Sequence, residues 1–265
     1  MHHRLSLFLG ITALAVGSAF ADVVDSRYYT PSPGDEVIDS GVMNVSRLGE
    51  AISSEEFQVI RRADGGRTIV SRVTAADNSF EIPARWDYDA DEQATGAAGW
   101  GKHADGRVFE VTLTRAAEAA TMSVAYESGE RVTYEGECPS GCLMDMMPGA
   151  IPQFTMSRRY DADRAGVQDF RWMAFVLNQD MRSFDVVVSI DHARDFSVAR
   201  ADGSEITVRH FVFDEKGSLD GTGEGYETHS NLWVDTTHRP IKFKVGQTIG
   251  LRAGFEDIDD RLTPE

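Results

Sequence analysis

The chain has 265 residues and a formal net charge of −17 at pH 7, from 43 acidic and 26 basic side chains. A surface this acidic repels phosphate backbones and anionic lipid heads, which sets nucleic acid aside as a partner. It leaves a neutral or hydrophobic ligand open, because exterior charge does not constrain an apolar interior.

Residues 1–21 read as a secretory signal. Arg4, after His2 and His3, gives a short basic start, Leu5 to Val16 is an apolar run without charge, and Ala19-Phe20-Ala21 places small side chains where a signal peptidase reads. Cleavage there leaves 244 residues starting at Asp22, with 43 acidic against 25 basic side chains. The apolar run is shorter than the roughly 20 residues of a spanning helix, no later segment is long enough, and the new first residue is not a lipid-accepting Cys. The expectation is a soluble protein without a transmembrane segment, periplasmic or alternatively secreted. Residues 22–265 then form one β-rich domain. The alternative is two halves, 22–137 and 158–265, joined by the apolar loop 138–157.

Alternation at period two dominates the mature region. Phe109, Val111 and Leu113 alternate with Glu110, Thr112 and Thr114; Met122, Val124 and Tyr126 repeat the pattern, as do Ile241, Phe243 and Val245 around Lys242 and Lys244. Such runs place one face on a core and the other in water, as in antiparallel sheets. Asp64-Gly65-Gly66, Asp105-Gly106, Ser128-Gly129 and Asp202-Gly203 supply the turns between them. Strands are expected near 37–48, 54–62, 67–75, 79–87, 107–114, 120–127 and 130–137, then near 168–178, 184–190, 194–200, 205–213, 226–234, 240–245 and 248–255. A short helix fits 114–120 or 158–167. The fold class is mainly all-β: a large curved antiparallel sheet, an unclosed or spiral β-barrel with few short helices.

Residues 138–157 interrupt the meander. Cys138 and Cys142, with Pro139-Ser140-Gly141 between them, predict a structural disulfide in an exported chain; a redox pair would place two residues between its cysteines. The segment is apolar and rich in Met and Pro, hence unlike a regular strand. It reads as a plug, a lid or a partner surface.

The arrangement resembles the periplasmic lipoprotein-carrier class, the LolA/LolB-type unclosed β-barrels and their relatives. The likeness is carried by the signal leading into a long meander, early hairpins at Gly49 and Asp64-Gly65-Gly66, the interruption at Met147-Pro148-Gly149 to Ile151-Pro152, and the hairpin Leu232-Trp233-Val234-Asp235 to Pro240-Ile241-Lys242. The resemblance implies a half-open barrel around an apolar cavity for acyl chains or hydrophobic peptides. The helices that line the mouth in that class have no counterpart in the sequence.

Catalytic patterns fail. No Ser sits in a Gly-x-Ser-x-Gly turn, and His192 reads as an exposed histidine at a strand end. Asp87, Asp89, Asp91 and Glu92 miss the spacing of a calcium loop. Gly221, Gly223 and Gly225 lie among acids that would repel phosphate, and Glu135 and Glu137 share a wet strand face. Met144, Met146, Met147 and Met156 beside two cysteines suit Cu(I), although flexible methionines equally pack an irregular apolar surface. No catalytic residue, resident metal or cofactor is assigned.

The leading expectation is therefore a non-enzymatic carrier of a lipid or acylated molecule. Leu143, Met146, Met147, Ile151, Phe154, Trp172, Phe175 and Trp233 are its candidate ligand-binding residues. An envelope scaffold or assembly factor that binds another protein is the alternative, and a copper or other metal-binding protein the third.

Overall fold

The computed structural model describes residues 29–102, 106–147, 149–176, 182–219 and 224–263. The signal reading of 1–21, the turn at Asp105 and the glycines at 221 and 223 lie outside them. The first half of the chain forms eight strands: β1 (Glu36–Arg47), β2 (Glu50–Arg61), β3 (Arg67–Ala75), β4 (Glu81–Tyr88), β5 (Ala94–Lys102), β6 (Val108–Ala116), β7 (Ala119–Tyr126) and β8 (Arg131–Glu137). The middle holds β9 (Leu143–Met147), the helix α1 (Ile151–Met156) and a 3₁₀ turn (Ser157–Arg159). Then come β10 (Gln168–Val176), β11 (Arg182–Ala199), β12 (Glu205–Leu219), β13 (Glu224–Asp235), β14 (Pro240–Val245), β15 (Thr248–Arg252) and a closing 3₁₀ helix (Glu256–Arg261).

All fifteen strands belong to one unclosed sheet in the order β8-β7-β6-β5-β4-β3-β2-β1-β15-β14-β13-β12-β11-β10-β9. Each half is a meander of hairpins. The halves meet where β1 pairs antiparallel with β15, Met43 opposite Arg252 through Arg47 opposite Thr248. Gly49 and Gly65 take positive φ in the two expected early turns, where a Cβ would be strained. The alternation expected in β6 and β7 is present: Phe109, Val111, Leu113, Met122 and Val124 are buried, while Glu110, Thr112 and Thr114 are exposed.

The segment expected to be irregular contains a strand. β9 pairs parallel to β10, Leu143 opposite Trp172 through Met147 opposite Val176, and is the one parallel strand among the described residues. Parallel neighbours need a crossover of a dozen or more residues, and 148–167, carrying α1, supplies it. Successive side chains of a strand point to opposite faces. Yet Leu143, Met144, Asp145 and Met146 are all 6% exposed or less. β9 is therefore covered on both faces: it runs inside the curl of the sheet. The disulfide Cys138–Cys142, with Cα atoms 5.3 Å apart, turns the chain inward at the end of β8. Gly141 takes φ +87° there, and the Cys142 amide donates to the Pro139 carbonyl (2.9 Å).

Small residues make room for this insert. β5 reads Ala-Thr-Gly-Ala-Ala-Gly-Trp-Gly-Lys and escapes recognition as a strand because glycine and alanine have low β propensity. A Cβ on Gly99 of β5 would come within 3.1 Å of Met146 Cε, and one on Gly136 of β8 within 2.0 Å of Met173 Cε. The glycines are the hollows into which the methionines of β9 and β10 fit.

Other expectations are corrected. Residues 114–120 form the β6–β7 hairpin rather than a helix, and the 3₁₀ turn of 157–159 is the helical part of 158–167. The two strands expected at 184–190 and 194–200 are the single 18-residue β11, with a bulge between His192 and Arg194. His192 lies at that bulge, not at a strand end, and bonds Asp195 Oδ1 through Nε2 (2.7 Å). Lys242, expected on a wet face, is 6% exposed. Its Nζ donates to the carbonyls of Asp259 and Leu262 (both 3.1 Å), pairs with Asp259 Oδ1 and lies over the Trp233 ring. The closing 3₁₀ helix covers that outer face, where Trp233, Val198, Val208, Ile241, Ile258 and Leu262 form a second core separate from the interior.

If β9 is internal, Met146→Lys buries an unpartnered ammonium and should destabilise the protein by about 3–5 kcal/mol. Val187→Lys, at a side chain 45% exposed, should stay within about 0.5 kcal/mol of wild type. Urea unfolding of both variants checks the contrast; equal, small losses would place β9 at the surface.

Candidate functional site: a basic cleft beside the internal helix

α1 has six residues, too few to persist alone in water. It is held by burial of Ile151, Pro152, Phe154, Thr155 and Met156, and Pro in its first turn forgoes an amide that would lack a helical acceptor. Its free amides are met from the sheet: Glu55 Oε2 on β2 accepts from the backbone N–H of Ala150 (2.6 Å) and Ile151 (3.3 Å). Gly149 passes so close that a Cβ would lie 2.9 Å from the Trp86 ring and 3.0 Å from Glu55 Oε1.

The other wall is the turn between β13 and β14. Asp235 Oδ1 accepts from the Thr237 amide (2.7 Å), the Thr237 hydroxyl (2.7 Å) and the Arg239 amide (3.0 Å). This clamp holds His238 at φ +62°. Ser157 donates its hydroxyl proton to the Phe154 carbonyl (2.6 Å), so at 2.9 Å His238 Nδ1–H must be the donor to Ser157 Oγ. Nε2 is then left to accept from Arg209 Nη1 (3.3 Å). The imidazole is neutral, in agreement with a pKa pushed down to about 4 by burial and by Arg158 and Arg209. Ser157 is fully buried with its proton committed, which removes the Ser–His pair from hydrolytic chemistry.

Between these walls opens a cleft of about 510 Å³, within the range of small-molecule sites. Its apolar lining comes from Val37, Ile38, Val59, Ile151, Phe154 and Pro240. Its basic lining is Arg61, Arg67, Arg158 and Arg239, with His238 beside them; Glu36 and Asp39 are the acids. Arg67 is 5% exposed, lies over the Tyr88 ring and pairs with Glu92. Behind the cleft, burial pushes the carboxyls of Glu55 and Asp145 up to about 7, and the charge of Glu55 further disfavours that of Asp145. Burial raises Glu215 on β12 to about 7 as well, although the Tyr226 hydroxyl donates to it (2.7 Å).

Of the expected ligand-binding residues, Leu143, Met146, Ile151, Phe154, Trp172 and Phe175 meet in the interior core. Trp233 does not join them: it faces the outer cluster beneath the closing helix. The Met147 side chain lies outside the described residues. The space next to Leu143 and Met144 is only about 10 Å³, about the least that admits one water. The segment fills the interior as a plug, and only Ile151 and Phe154 reach the cleft. Cys138 and Cys142 are joined, so neither sulfur serves as a thiolate ligand. Among the described residues no three His, Cys, Asp or Glu side chains gather as a metal site. Asp89 instead caps its own turn, accepting from the amides of Asp91 and Gln93. The arginines of the cleft escaped sequence reading because they come from β2, β3, the 3₁₀ turn and the β13–β14 turn, far apart in the chain. The signal available was the Trp-Val-Asp to Pro-Ile hairpin, whose tip is one wall.

No protein-family model matches the chain, and no curated protein does. Among solved structures, the crystal structure of a DUF1089 family protein from Pseudomonas aeruginosa aligns with 92% of this chain and 98% of its own length, at 14% identity and a TM-score of 0.43. At that level the likeness says nothing about what this chain binds. By its own geometry the chain is an unclosed, curled β-sheet protein with an internal strand and helix.

The three raised carboxyls have a defined signature. Their folded pKa values lie above the unfolded ones, so their contribution is full below the unfolded carboxyl range and is lost as pH rises through about 7. His238, with its depressed pKa, works the opposite way: its contribution is full above its unfolded value and is lost as pH falls towards about 4. Three groups outweigh one, so the urea midpoint should rise from pH 8 to pH 5. Glu55→Gln should flatten that rise; an unchanged slope would remove Glu55 as a source.

Proposed function

We propose that this is an exported binding protein of the cell envelope, periplasmic or secreted, that carries a hydrophobic ligand such as a lipid or an acylated molecule without chemically changing it. The observation that carries the reading is the cleft of about 510 Å³, floored by Ile151 and Phe154 at the end of the internal segment. The seat differs from the hollow that a carrier of the LolA/LolB type would hold, because the internal strand occupies the space within the curl. Ile151 and Phe154 are ligand contacts in this reading; Leu143, Met146, Trp172 and Phe175 support them from behind. The disulfide fits an oxidising compartment. No helix among the described residues is long and apolar enough to cross a membrane.

Val37 is 53% exposed on the rim of the cleft, so replacing it should leave folding intact. Val37→Glu should weaken binding of an apolar fluorescent probe by about fivefold or more, since one lost apolar contact is worth roughly 1–2 kcal/mol, with an unchanged thermal melt. Native mass spectrometry of gently purified protein should show co-purified lipid. No bound lipid together with no probe binding would end the carrier reading.

A further inference from the structure

Resting on the cleft as the ligand's seat, we infer that the site selects an amphiphile whose head is a compact oxyanion: a phosphate, carboxylate or sulfate. Four guanidiniums line the cleft against two carboxylates, in a chain whose net charge is −17. Both carboxylates are already matched. Asp39 accepts from Arg252 Nη2 (2.6 Å) and Nη1 (3.0 Å), and Glu36 pairs with Arg61 at the solvent-exposed rim.

The remaining three guanidiniums are only partly engaged. Arg67 uses Nη2 on Glu92, but its Nε is buried and has no acceptor. Arg158 gives Nη2 to the Thr237 carbonyl (2.7 Å), its Nη1 lies 3.9 Å from Glu92 Oε1, so that Glu92 is shared by Arg67 and Arg158, and its Nε is likewise buried without an acceptor. Arg239 gives Nη2 to the Ile38 carbonyl (3.1 Å). A buried N–H of a charged group without an acceptor is costly, and an oxyanion in the cleft supplies acceptors to the guanidiniums that line it. Guanidinium forks match the planar or tetrahedral oxygens of carboxylate and phosphate. Burial is the largest cause that keeps His238 neutral; repulsion from Arg158, Arg209 and Arg67 adds to it, against the attraction of Asp235. A cationic head would meet that repulsion, and a neutral head would offer the lining guanidiniums no charged acceptor. The apolar floor at Ile151 and Phe154 receives the chain that follows the head.

The test uses mature protein stripped of co-purified lipid, titrated calorimetrically with dodecyl phosphate, dodecanol and inorganic phosphate. Dodecyl phosphate should bind about tenfold or more tightly than dodecanol, the scale of a charge-assisted hydrogen bond. In the double variant Arg158→Gln/Arg239→Gln that ratio should fall towards one with dodecanol affinity unchanged. A far-ultraviolet circular dichroism melt establishes folding, and the single variant Arg239→Gln, at the rim, serves if the double variant is unfolded. Inorganic phosphate that competes with dodecyl phosphate at similar affinity overturns the amphiphile, since the alkyl chain then adds nothing, and assigns the site to a free anion. Equal binding of dodecyl phosphate and dodecanol overturns the inference but leaves the carrier reading intact, as does parallel loss of both in a folded variant. Failure of all three probes to bind overturns both.

Discussion

The parallel pairing of β9 with β10 inside the curl is the contact on which the rest of the molecule depends. Every other neighbour in the sheet is made by an antiparallel pairing, and that ribbon could coil more tightly or more loosely without breaking a hydrogen bond. The inserted strand fixes the radius. Met146 against Gly99 and Met173 against Gly136 hold the two ends of the ribbon at the separation that one strand requires. Because the insert is continuous with the meander, its entry and exit must also be fixed. The disulfide turns the chain in, and Glu55 receives it where α1 begins. An interior closed in this way has little free space, and a cleft of about 510 Å³ opens where the insert emerges.

The cleft is the consequence of that emergence. A helix of six residues, held by burial and by a carboxylate from the sheet, leaves an apolar flank facing the β13–β14 turn. That turn is rigid because one aspartate oxygen accepts three hydrogen bonds within it. The arginines arrive from four separate places, and the two Arg-Arg pairs among them, 61–62 and 158–159, are too short to stand out as basic runs, so a strongly acidic chain still gathers guanidiniums around one hollow. Net charge describes the mean field at a distance; within a few ångströms, under weak solvent screening, individual guanidiniums govern.

Much of the sheet was legible in the sequence because alternation and turn residues are local. Strands such as β3, β6, β7 and β14 lie within a few residues of where period two places them. β5 was not legible, since its small residues serve a non-local need, the approach of Met146, and erase the local signal. β9 was not legible because its residues are buried on both faces and so do not alternate, and prolines surround it. Lys242 looked like a surface residue because alternation cannot foresee that the closing helix covers the outer face. For the site, the apolar residues at 151 and 154 were readable from the segment's composition. The basic half was not, because the whole-chain charge argued against anions and the contributing residues are brought together only by topology.

The closing 3₁₀ helix has a consequence of its own. With Leu262, the residue that follows it, it acts as a fastener on the outside of the ribbon: Ile258 and Leu262 pack in one cluster with Trp233, and the carbonyls of Asp259 and Leu262 hold the ammonium of Lys242. Loss of the segment from Asp259 through Leu262 would strip away both acceptors, stranding a cation beside newly uncovered grease. The apolar side chains uncovered in that way would form a surface to which a second copy could adhere.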